Sequence, residues 1–202
     1  MNLYLASQLD VSGKKFLDVS GMHPADTTVA YVPTARNFKK KVLDDSTTLQ
    51  WFRRKKFQVD VVDVEKVDSQ TAEKKIRAAD VIFMEGGNSF YLLEKLKQSG
   101  MFEVIGQEVR SGKWYVGSSA GSVVAAPDIR YTTPIDDPQA ALGLDTTGFG
   151  FVTRSIIPHI GDSKYSSPNA GKIRSELGKD FDLLELTDSQ ALVRVGDNEY
   201  VA

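Results

Sequence analysis

The chain has 202 residues, 41% of them hydrophobic, and a formal net charge of −2 with both signs scattered along its length. A chain of this length fits one domain, and folding would bury about 70% of its unfolded surface. The composition excludes collagenous and disordered chains and argues against a protein that binds nucleic acid through bulk charge. The absence of cysteine excludes disulfide scaffolds, thiolate nucleophiles and cysteine-ligated metal sites.

The first ten residues carry no basic region, and their apolar stretch is too short for a signal peptide. No apolar run in the chain approaches the ~20 residues that cross a bilayer. We therefore expect a cytoplasmic protein without a membrane partner, with residues 1–202 forming a single domain.

Short β-rich runs alternate with longer helical patterns through the first 117 residues. Strands are predicted over 3–6, 28–32, 57–64, 81–84 and 114–117. Helices are predicted over 71–79, 89–98 and 102–111, and a basic amphipathic stretch follows the second strand. This alternation predicts a three-layer α/β fold with a mostly parallel sheet and helices on both faces.

The final third is β-rich, with little helix except around 170–177. Its β-rich runs cover 151–157, 182–186, 191–195 and 199–201. We expect antiparallel edge strands added to the parallel sheet.

Residues 114–124, WYVGSSAGSVV, place a G-x-S-x-G pattern between an apolar strand and a helix of small residues. This is the context of a nucleophile elbow, in which a tight turn exposes the Ser119 hydroxyl and aims the Ala120 amide at a developing oxyanion. Such a turn also suits phosphate binding or close packing of a helix on its strand. The pattern alone leaves these interpretations open.

A second glycine-rich turn, in residues 81–90 (VIFMEGGNSF), also joins a strand to a helix. Gly86 and Gly87 let the backbone approach a ligand, and Asn88 is a good N-cap. Because Gly87 precedes Ser119 by about one helical crossover, both turns should lie at the carboxyl edge of adjacent strands. We predict an oxyanion hole made by the Gly87 and Ala120 amides, although a plain helix cap would also explain Asn88.

A serine nucleophile needs a base, and the chain has two histidines, His23 and His159. His159 follows a β-rich run downstream of the elbow and is the predicted base, whereas His23 lies in an early loop. The imidazole also needs a carboxylate to hold its tautomer. Spacing does not choose among the candidates Asp128, Asp136, Asp137, Asp162 and Asp188.

Together these residues resemble the peptidase E family of alpha-aspartyl dipeptidases and the related cyanophycinases, over nearly the whole chain. The resemblance rests on residues 86–88, 117–121, 129–130 and 158–159. It implies a fold similar to class I glutamine amidotransferases, with Ser119 as nucleophile and His159 as base. The family's oxyanion amides fall on Gly87 and Ala120.

Two segments depart from the family pattern. The family's acidic third member is a glutamate, and the matching stretch 186–192, LTDSQAL, carries Asp188 there. The resemblance thus implies Asp188 as third member, with Asp137 as second choice, although Asp188 with Ser189 is also typical of a turn. The family aspartate that follows Arg130 has no clear counterpart in 131–138, YTTPIDDP, unless Asp137 substitutes.

The resemblance also implies a preference for N-terminal aspartyl substrates. Recognition of such a substrate needs a cation for the side-chain carboxylate and an acceptor for the α-ammonium group. Sequence order offers Arg130, Arg154, Lys172 and Arg174 as cations. Of the residues near the two turns, Asn88 and Arg130 are the predicted substrate-binding residues.

We therefore predict a serine peptidase that hydrolyses small peptides through an acyl-enzyme, as a dipeptidase favouring Asp-Xaa. It would need no metal or organic cofactor, take a small peptide as partner rather than nucleic acid, and be a monomer or small homo-oligomer. An esterase or acyltransferase with the same nucleophile is one alternative. A non-catalytic α/β module that binds an anionic ligand is another. A dinucleotide site is disfavoured, since Thr153 stands where the third glycine of a pattern starting at Gly148 belongs.

Overall fold

The computed structural model describes residues 1–141, 143, 145–161 and 168–202. Within these ranges the strands are β1 (Asn2–Ala6), β2 (Thr28–Val32), β3 (Gln58–Val61), β4 (Val81–Met84), β5 (Trp114–Ser118), β6 (Ser155–Ile157), β7 (Leu183–Glu185), β8 (Ala191–Val195) and β9 (Asn198–Val201).

The α-helices in the same ranges are α1 (Leu9–Ser20), α2 (Thr47–Arg54), α3 (Ser69–Ala78), α4 (Ser89–Gln98), α5 (Met101–Arg110), α6 (Ala120–Val123) and α7 (Pro168–Lys172). A π-helical turn, Ile173–Leu177, continues α7, and short 3₁₀ turns occupy the connections. None of the helices in the described ranges has the length and apolar character that a membrane crossing needs.

One seven-stranded sheet has the order β3-β2-β4-β5-β1-β8-β9. The strands from β3 to β1 pair in parallel, and β8 and β9 add antiparallel to the edge beside β1. The prediction of a mostly parallel sheet with antiparallel edge strands is therefore confirmed. The carboxyl ends of β1, β4 and β5 lie side by side, which is where open α/β sheets bind ligands.

Side chains of the central strands alternate between two apolar cores, one on each face of the sheet. Leu3 and Leu5 enter the core covered by α3, α4 and α5, whereas Tyr4 enters the core covered by α1 and α2. This two-residue period is that of a strand buried on both faces. The result is the predicted arrangement of three layers.

The β-rich runs of the final third divide between two sheets: β8 and β9 form the expected antiparallel edge, whereas β6 and β7 do not join it. β6 and β7 form a separate two-stranded parallel sheet, whose register pairs Ile157 with Glu185. Both strands are three residues long, so the predicted runs 151–157 and 182–186 are strand only in part. The small sheet carries the chain to His159.

Two helical regions differ from the prediction. Helix α1 was not predicted, because its sequence LDVSGKKFLDVS mixes weak helix formers with two buried apolar residues, Leu9 and Phe16. The basic stretch after β2 is not one helix but the 3₁₀ turns Thr34–Lys39 and Leu43–Asp45 followed by α2. Ser46, whose hydroxyl accepts from the Leu49 N–H, starts α2 anew.

Candidate active site

Ser119 lies on the sharp turn between β5 and α6, with φ 53° and ψ −114°. A non-glycine residue in so sparsely populated a region costs about 1–3 kcal/mol and persists only where its surroundings hold it. Here the Ser119 N–H donates to the carbonyl oxygens of Ala6 and Ser7, both at 3.1 Å, at the end of β1. The turn therefore presents the Ser119 hydroxyl at the carboxyl edge of the sheet.

The two glycines that flank Ser119 are required by backbone contacts on either side of the turn. A Cβ at Gly117 would lie 2.6 Å from the carbonyl oxygen of Gly121, and a Cβ at Gly121 would lie 2.1 Å from that of Met84. Both distances are far inside van der Waals contact. Because these glycines let α6 pack directly on β4 and β5, the G-x-S-x-G spacing follows from the geometry of the turn.

Three side chains form one hydrogen-bonded chain at this edge. Ser119 Oγ lies 2.9 Å from His159 Nε2, and His159 Nδ1 lies 2.6 Å from Asp188 Oδ1. His159 follows β6, and Asp188 lies in the turn between β7 and β8. The side chains of His159 and Asp188 are only 16% and 21% exposed, so water screens their attraction weakly. This arrangement can pass the serine proton to the imidazole while the carboxylate holds the tautomer with hydrogen on Nδ1.

Ser7, which the sequence analysis did not single out, connects the base to its carboxylate. Its buried hydroxyl accepts from the His159 N–H at 2.7 Å and donates to Asp188 Oδ1 at 3.0 Å. Ser7 directly follows β1, the central strand that pairs with β5. A polar residue at the carboxyl end of a predicted strand was the available signal.

The glycine-rich turn after β4 packs against the nucleophile turn. A Cβ at Gly86 would lie 3.0 Å from the Ser119 Cβ, and a Cβ at Gly87 would lie 2.2 Å from the Ala35 carbonyl oxygen. Within the described residues, the N–H groups of Gly87 and Ala120 donate to no protein acceptor. Both residues line the cavity that contains Ser119 and His159. Two residues whose N–H groups have no acceptor in the described part of the chain thus line the same cavity as Ser119, and an oxyanion hole needs such donors.

The other acids considered as partners of the imidazole are placed differently. Asp137 Oδ1 accepts from the Gln139 N–H at 2.9 Å and caps a 3₁₀ turn, and Asp128 pairs with Arg130. Asp136 lines the cavity, but its carboxylate accepts from Ser89 rather than from the imidazole. Asp162 lies outside the described residues.

The predicted substrate-binding residues Asn88 and Arg130 do not line the cavity around Ser119. The Asn88 side chain is used within the fold: its Oδ1 caps α4 by accepting from the Tyr91 N–H, and its Nδ2 donates to the Asp137 carbonyl. Arg130 forms an ion pair with Asp128 at 2.6 Å. The expectation that these two side chains reach the site is corrected accordingly.

The other predicted cations also lie outside the cavity lining. Arg154 pairs with Asp182, Arg174 pairs with Glu185, and Lys172 ends α7. Among the described residues, the cations that line the cavity come instead from the connection between β2 and α2, and are Arg36, Lys39 and Lys41. This connection reaches the carboxyl ends of the strands through the folding of the chain. Apart from its basic residues, the sequence of the connection does not indicate a position at the site. The cavity has a volume of about 300 Å³.

A buried ion pair joins that connection to the glycine-rich turn. Arg36 Nη1 donates to Glu85 Oε1 at 2.9 Å, and the two side chains are 13% and 5% exposed. Ser46 donates a further hydrogen bond to the same oxygen. Burial raises the pKa of Glu85, against the lowering effects of Ser46 and Arg36. Burial likewise raises the pKa of Asp136, against its hydrogen bonds from Ser89.

Comparison with known proteins decides the family. Residues 7–201 match peptidase family S51. The chain belongs to this family. Among similar proteins are an uncharacterized peptidase, PM1590, of Pasteurella multocida (strain Pm70), 30% identical over 78% of this chain and 76% of the relative, and a peptidase E of Streptomyces coelicolor, 33% identical over 90% of this chain and 73% of the relative.

Solved structures agree with this membership. The crystal structure of a protein from Listeria monocytogenes EGD-e, provisionally named a peptidase E, covers 100% of this chain and 97% of its own with a TM-score of 0.91 at 25% identity. A peptidase from an acI-B1 Actinobacterium has the same fold, with a TM-score of 0.73 at 21% identity over 100% of this chain and 86% of its own. This S51 protein is a serine-type peptidase of the peptidase E type.

Proposed function

We propose that this S51 peptidase is a dipeptidase that cleaves small peptides with an N-terminal aspartyl residue through an acyl-enzyme. The observation that carries the proposal is the hydrogen-bonded chain from Asp188 through His159 to Ser119, together with the two residues of the same cavity whose N–H groups have no acceptor in the described part of the chain. A neutral serine hydroxyl attacks poorly without a positioned base, and this chain supplies one.

The proposed reaction uses each of these groups in turn. Ser119 Oγ attacks the scissile carbonyl carbon as its proton passes to His159 Nε2, and the N–H groups of Gly87 and Ala120 stabilise the oxyanion by about 3 kcal/mol per donor. The C–N bond then breaks as His159 returns the proton to the leaving amine. Water attacks the acyl ester with His159 as base, releasing the acid and restoring Ser119.

The charge of the cavity supports an acidic substrate. Lys39 and Lys41 line the cavity, and neither amino group pairs with a carboxylate in the described part of the chain. Arg36, by contrast, already bonds Glu85. A substrate carboxylate would therefore meet two ammonium groups that are free to bind it.

The first test is a panel of dipeptides with and without N-terminal aspartate, run beside matched esters. We expect the wild-type chain to hydrolyse Asp-Xaa dipeptides, and Ser119→Ala to lower kcat/KM by more than about 10⁴-fold while the variant stays folded. A serine-directed phosphonate should label Ser119 in the wild type only.

Each other outcome of this panel has a defined meaning. Turnover that persists in Ser119→Ala would exclude the mechanism. Turnover of esters alone would favour the esterase alternative, and ligand binding without turnover or labelling would favour the non-catalytic module. Turnover of dipeptides that lack aspartate, with Asp-Xaa ignored, would exclude the substrate preference and leave the mechanism.

The second test concerns the two lysines. Lys39→Gln and Lys41→Gln should each lower kcat/KM for Asp-Xaa about 10-fold or more relative to Ala-Xaa, because each removes a charge-assisted bond to the substrate carboxylate. Lys40→Gln is the matched control, since Lys40 lies between them in sequence but does not line the cavity. Equal losses in all three variants would show a general effect of charge rather than recognition.

A further inference from the structure

Asp136 is an acidic side chain that the proposed reaction does not use, although it lines the same cavity as Ser119 and His159. It lies between the 3₁₀ turns Arg130–Thr132 and Pro138–Ala140. The imidazole of His159 bonds Asp188 through Nδ1 and Ser119 through Nε2, rather than Asp136. The Asp136 carboxylate therefore has a place in the cavity but no role in the proposed proton transfer.

The position of this carboxylate is set by the start of α4. Asp136 Oδ2 accepts from the Ser89 N–H at 2.8 Å and from the Ser89 hydroxyl. The next residue is also held, since its carbonyl accepts from Asn88 Nδ2 at 3.0 Å. Asp136 Oδ1, in contrast, receives no hydrogen bond from the described residues. One oxygen is thus anchored and the other is available to a ligand.

The substrate carries a group that matches this acceptor. In a dipeptide the α-nitrogen is two bonds from the scissile carbonyl carbon, which places the two atoms about 2.5 Å apart. The ammonium group must therefore lie in the cavity whenever the carbonyl is in reach of Ser119. An ammonium group taken out of water needs a carboxylate or comparable acceptor.

Two other carboxylates in the described part of the chain, those of Glu85 and Asp10, line the cavity and fit this role less well. Glu85 Oε1 already accepts from Arg36 and Ser46, and its Oε2 is enclosed by protein. Asp10 likewise has one oxygen, Oδ1, enclosed without a partner. Asp136 combines an anchored oxygen with an open one.

We propose that Asp136 is a specificity-determining residue whose Oδ1 accepts a hydrogen bond from the α-ammonium group of the substrate, so that the site selects peptides with a free amino terminus. This inference rests on the proposed dipeptidase function and names the group that would select the amino terminus. Lys39 and His159 lie close enough to lower the cost of the negative charge on this carboxyl. The substrate ammonium would add a direct partner.

The experiment measures binding without turnover, in the Ser119→Ala background. The ligands are Asp-Leu and succinyl-Leu, which differ only in the α-ammonium group, and affinities come from isothermal titration calorimetry. We expect Asp-Leu to bind about 10- to 100-fold more tightly than succinyl-Leu. In Ser119→Ala/Asp136→Asn this ratio should fall to about one, through loss of Asp-Leu affinity alone.

Asp10→Asn in the same background is the matched control, because it removes another cavity carboxylate and should keep the ratio. Asp136→Ser replaces Asp136→Asn if the latter does not fold, which thermal melting decides, and should give the same collapse. Three outcomes would overturn the inference. The two ligands could bind Ser119→Ala with equal affinity, or the substitution at Asp136 could weaken both ligands equally. The affinity ratio could also fall to one in the Asp10→Asn variant alone.

The two proposals can fail separately. Turnover of Asp-Xaa by the wild type together with equal binding of the two ligands would reject the role of Asp136 and leave the dipeptidase. Absence of turnover together with a ratio that depends on Asp136 would reject the dipeptidase and leave a site for the free amino terminus. Binding of neither ligand would reject the role of Asp136, and absence of turnover in addition would reject both.

Discussion

At the scale of single residues, the Ser7 hydroxyl holds two parts of the site at once. It restrains the backbone of His159 by accepting its N–H and orients Asp188 by donating to Oδ1. The restraint matters because His159 has φ 63°, a conformation that non-glycine residues rarely adopt without support. Ser7 therefore holds both the backbone of His159 and the carboxylate that faces the imidazole by the same pair of hydrogen bonds.

Replacement of Asp188 by asparagine tests the carboxylate of this chain. Asp188→Asn should lower kcat for the preferred dipeptide by about 10³- to 10⁴-fold, because an amide in this position favours the imidazole tautomer that cannot accept the serine proton. KM should change little. Steady-state kinetics with circular dichroism as a fold check gives the measurement.

Asp137→Asn is the control for that substitution, since the one bond that Asp137 Oδ1 makes to described residues is the one it accepts from the Gln139 N–H. Its kcat should stay within about threefold of wild type, as expected for an exposed cap. Comparable losses in the two variants would contradict the assignment of Asp188 to the imidazole.

The local sequence identifies some of these residues and not others, for a physical reason. Ser119 and Gly87 lie in turns whose geometry needs small residues at fixed spacing, so the pattern is visible in a short window. Asp188 was reached only through the family resemblance, because its distance from His159 depends on how two sheets meet. The local signal for Ser7 is limited to its position after a predicted strand, and that for Lys39 is limited to the basic character of its segment.

At the scale of elements, the short helix α6 depends on its close contact with β4. Gly121→Ala would place a methyl group 2.1 Å from the Met84 carbonyl oxygen, a contact with backbone that no side-chain rotation relieves. We expect a loss of about 1–3 kcal/mol in the free energy of unfolding from this overpacking. Activity should fall as well, because the displaced α6 carries the Ala120 N–H. Urea unfolding and dipeptide kinetics measure the two effects.

Gly171→Ala in α7 is the matched control, since no heavy atom of the described residues outside the helix's own backbone lies within 4 Å of the added Cβ. Replacing a helical glycine by alanine there should raise stability by about 0.5–1 kcal/mol. If both variants lose the same stability, the backbone contact at Met84 is not the cause.

The elements that the sequence predicts best are those with strong local signals. Strands β2 and β4 have the predicted bounds, and α4 begins after the Asn88 cap and runs over the predicted residues. Helix α1 has a weak local signal and is stabilised by packing of Leu9 and Phe16 on the sheet. The division of the final third into two sheets depends on partners distant in sequence, which local patterns do not encode.

At the scale of the whole molecule, the order of the strands assembles the site. The carboxyl ends of β1, β4 and β5 contribute Ser7, Gly87 and Ser119, and the smaller sheet contributes His159. Right-handed crossovers between parallel strands bring the loops after these strands to the same edge of the sheet in every fold of this class. A site at this edge was therefore predictable from the sequence. The cations of the cavity were not predictable as site residues, because they come from the connection between β2 and α2, which folds back over this edge.

The Arg36–Glu85 pair gives the stability of the molecule a defined dependence on pH. Burial raises the pKa of Glu85 above its ordinary value of 4.5, so the folded chain holds this proton more tightly than the unfolded chain does. The resulting stabilisation is complete below pH 4.5 and is lost as the pH rises through the pKa of the folded state. Glu85→Gln lacks this titration.

The free energy of unfolding of Glu85→Gln minus that of wild type should therefore become more positive between about pH 4 and pH 8, whatever its value at the acid end. Urea denaturation at several pH values measures this difference. Glu176→Gln, which removes an exposed carboxylate, shows what loss of one surface charge does to the same curve. A difference for Glu85→Gln that stays flat or becomes more negative with pH would contradict a raised pKa, because only a group that binds its proton more tightly in the folded state destabilises the fold as it ionises.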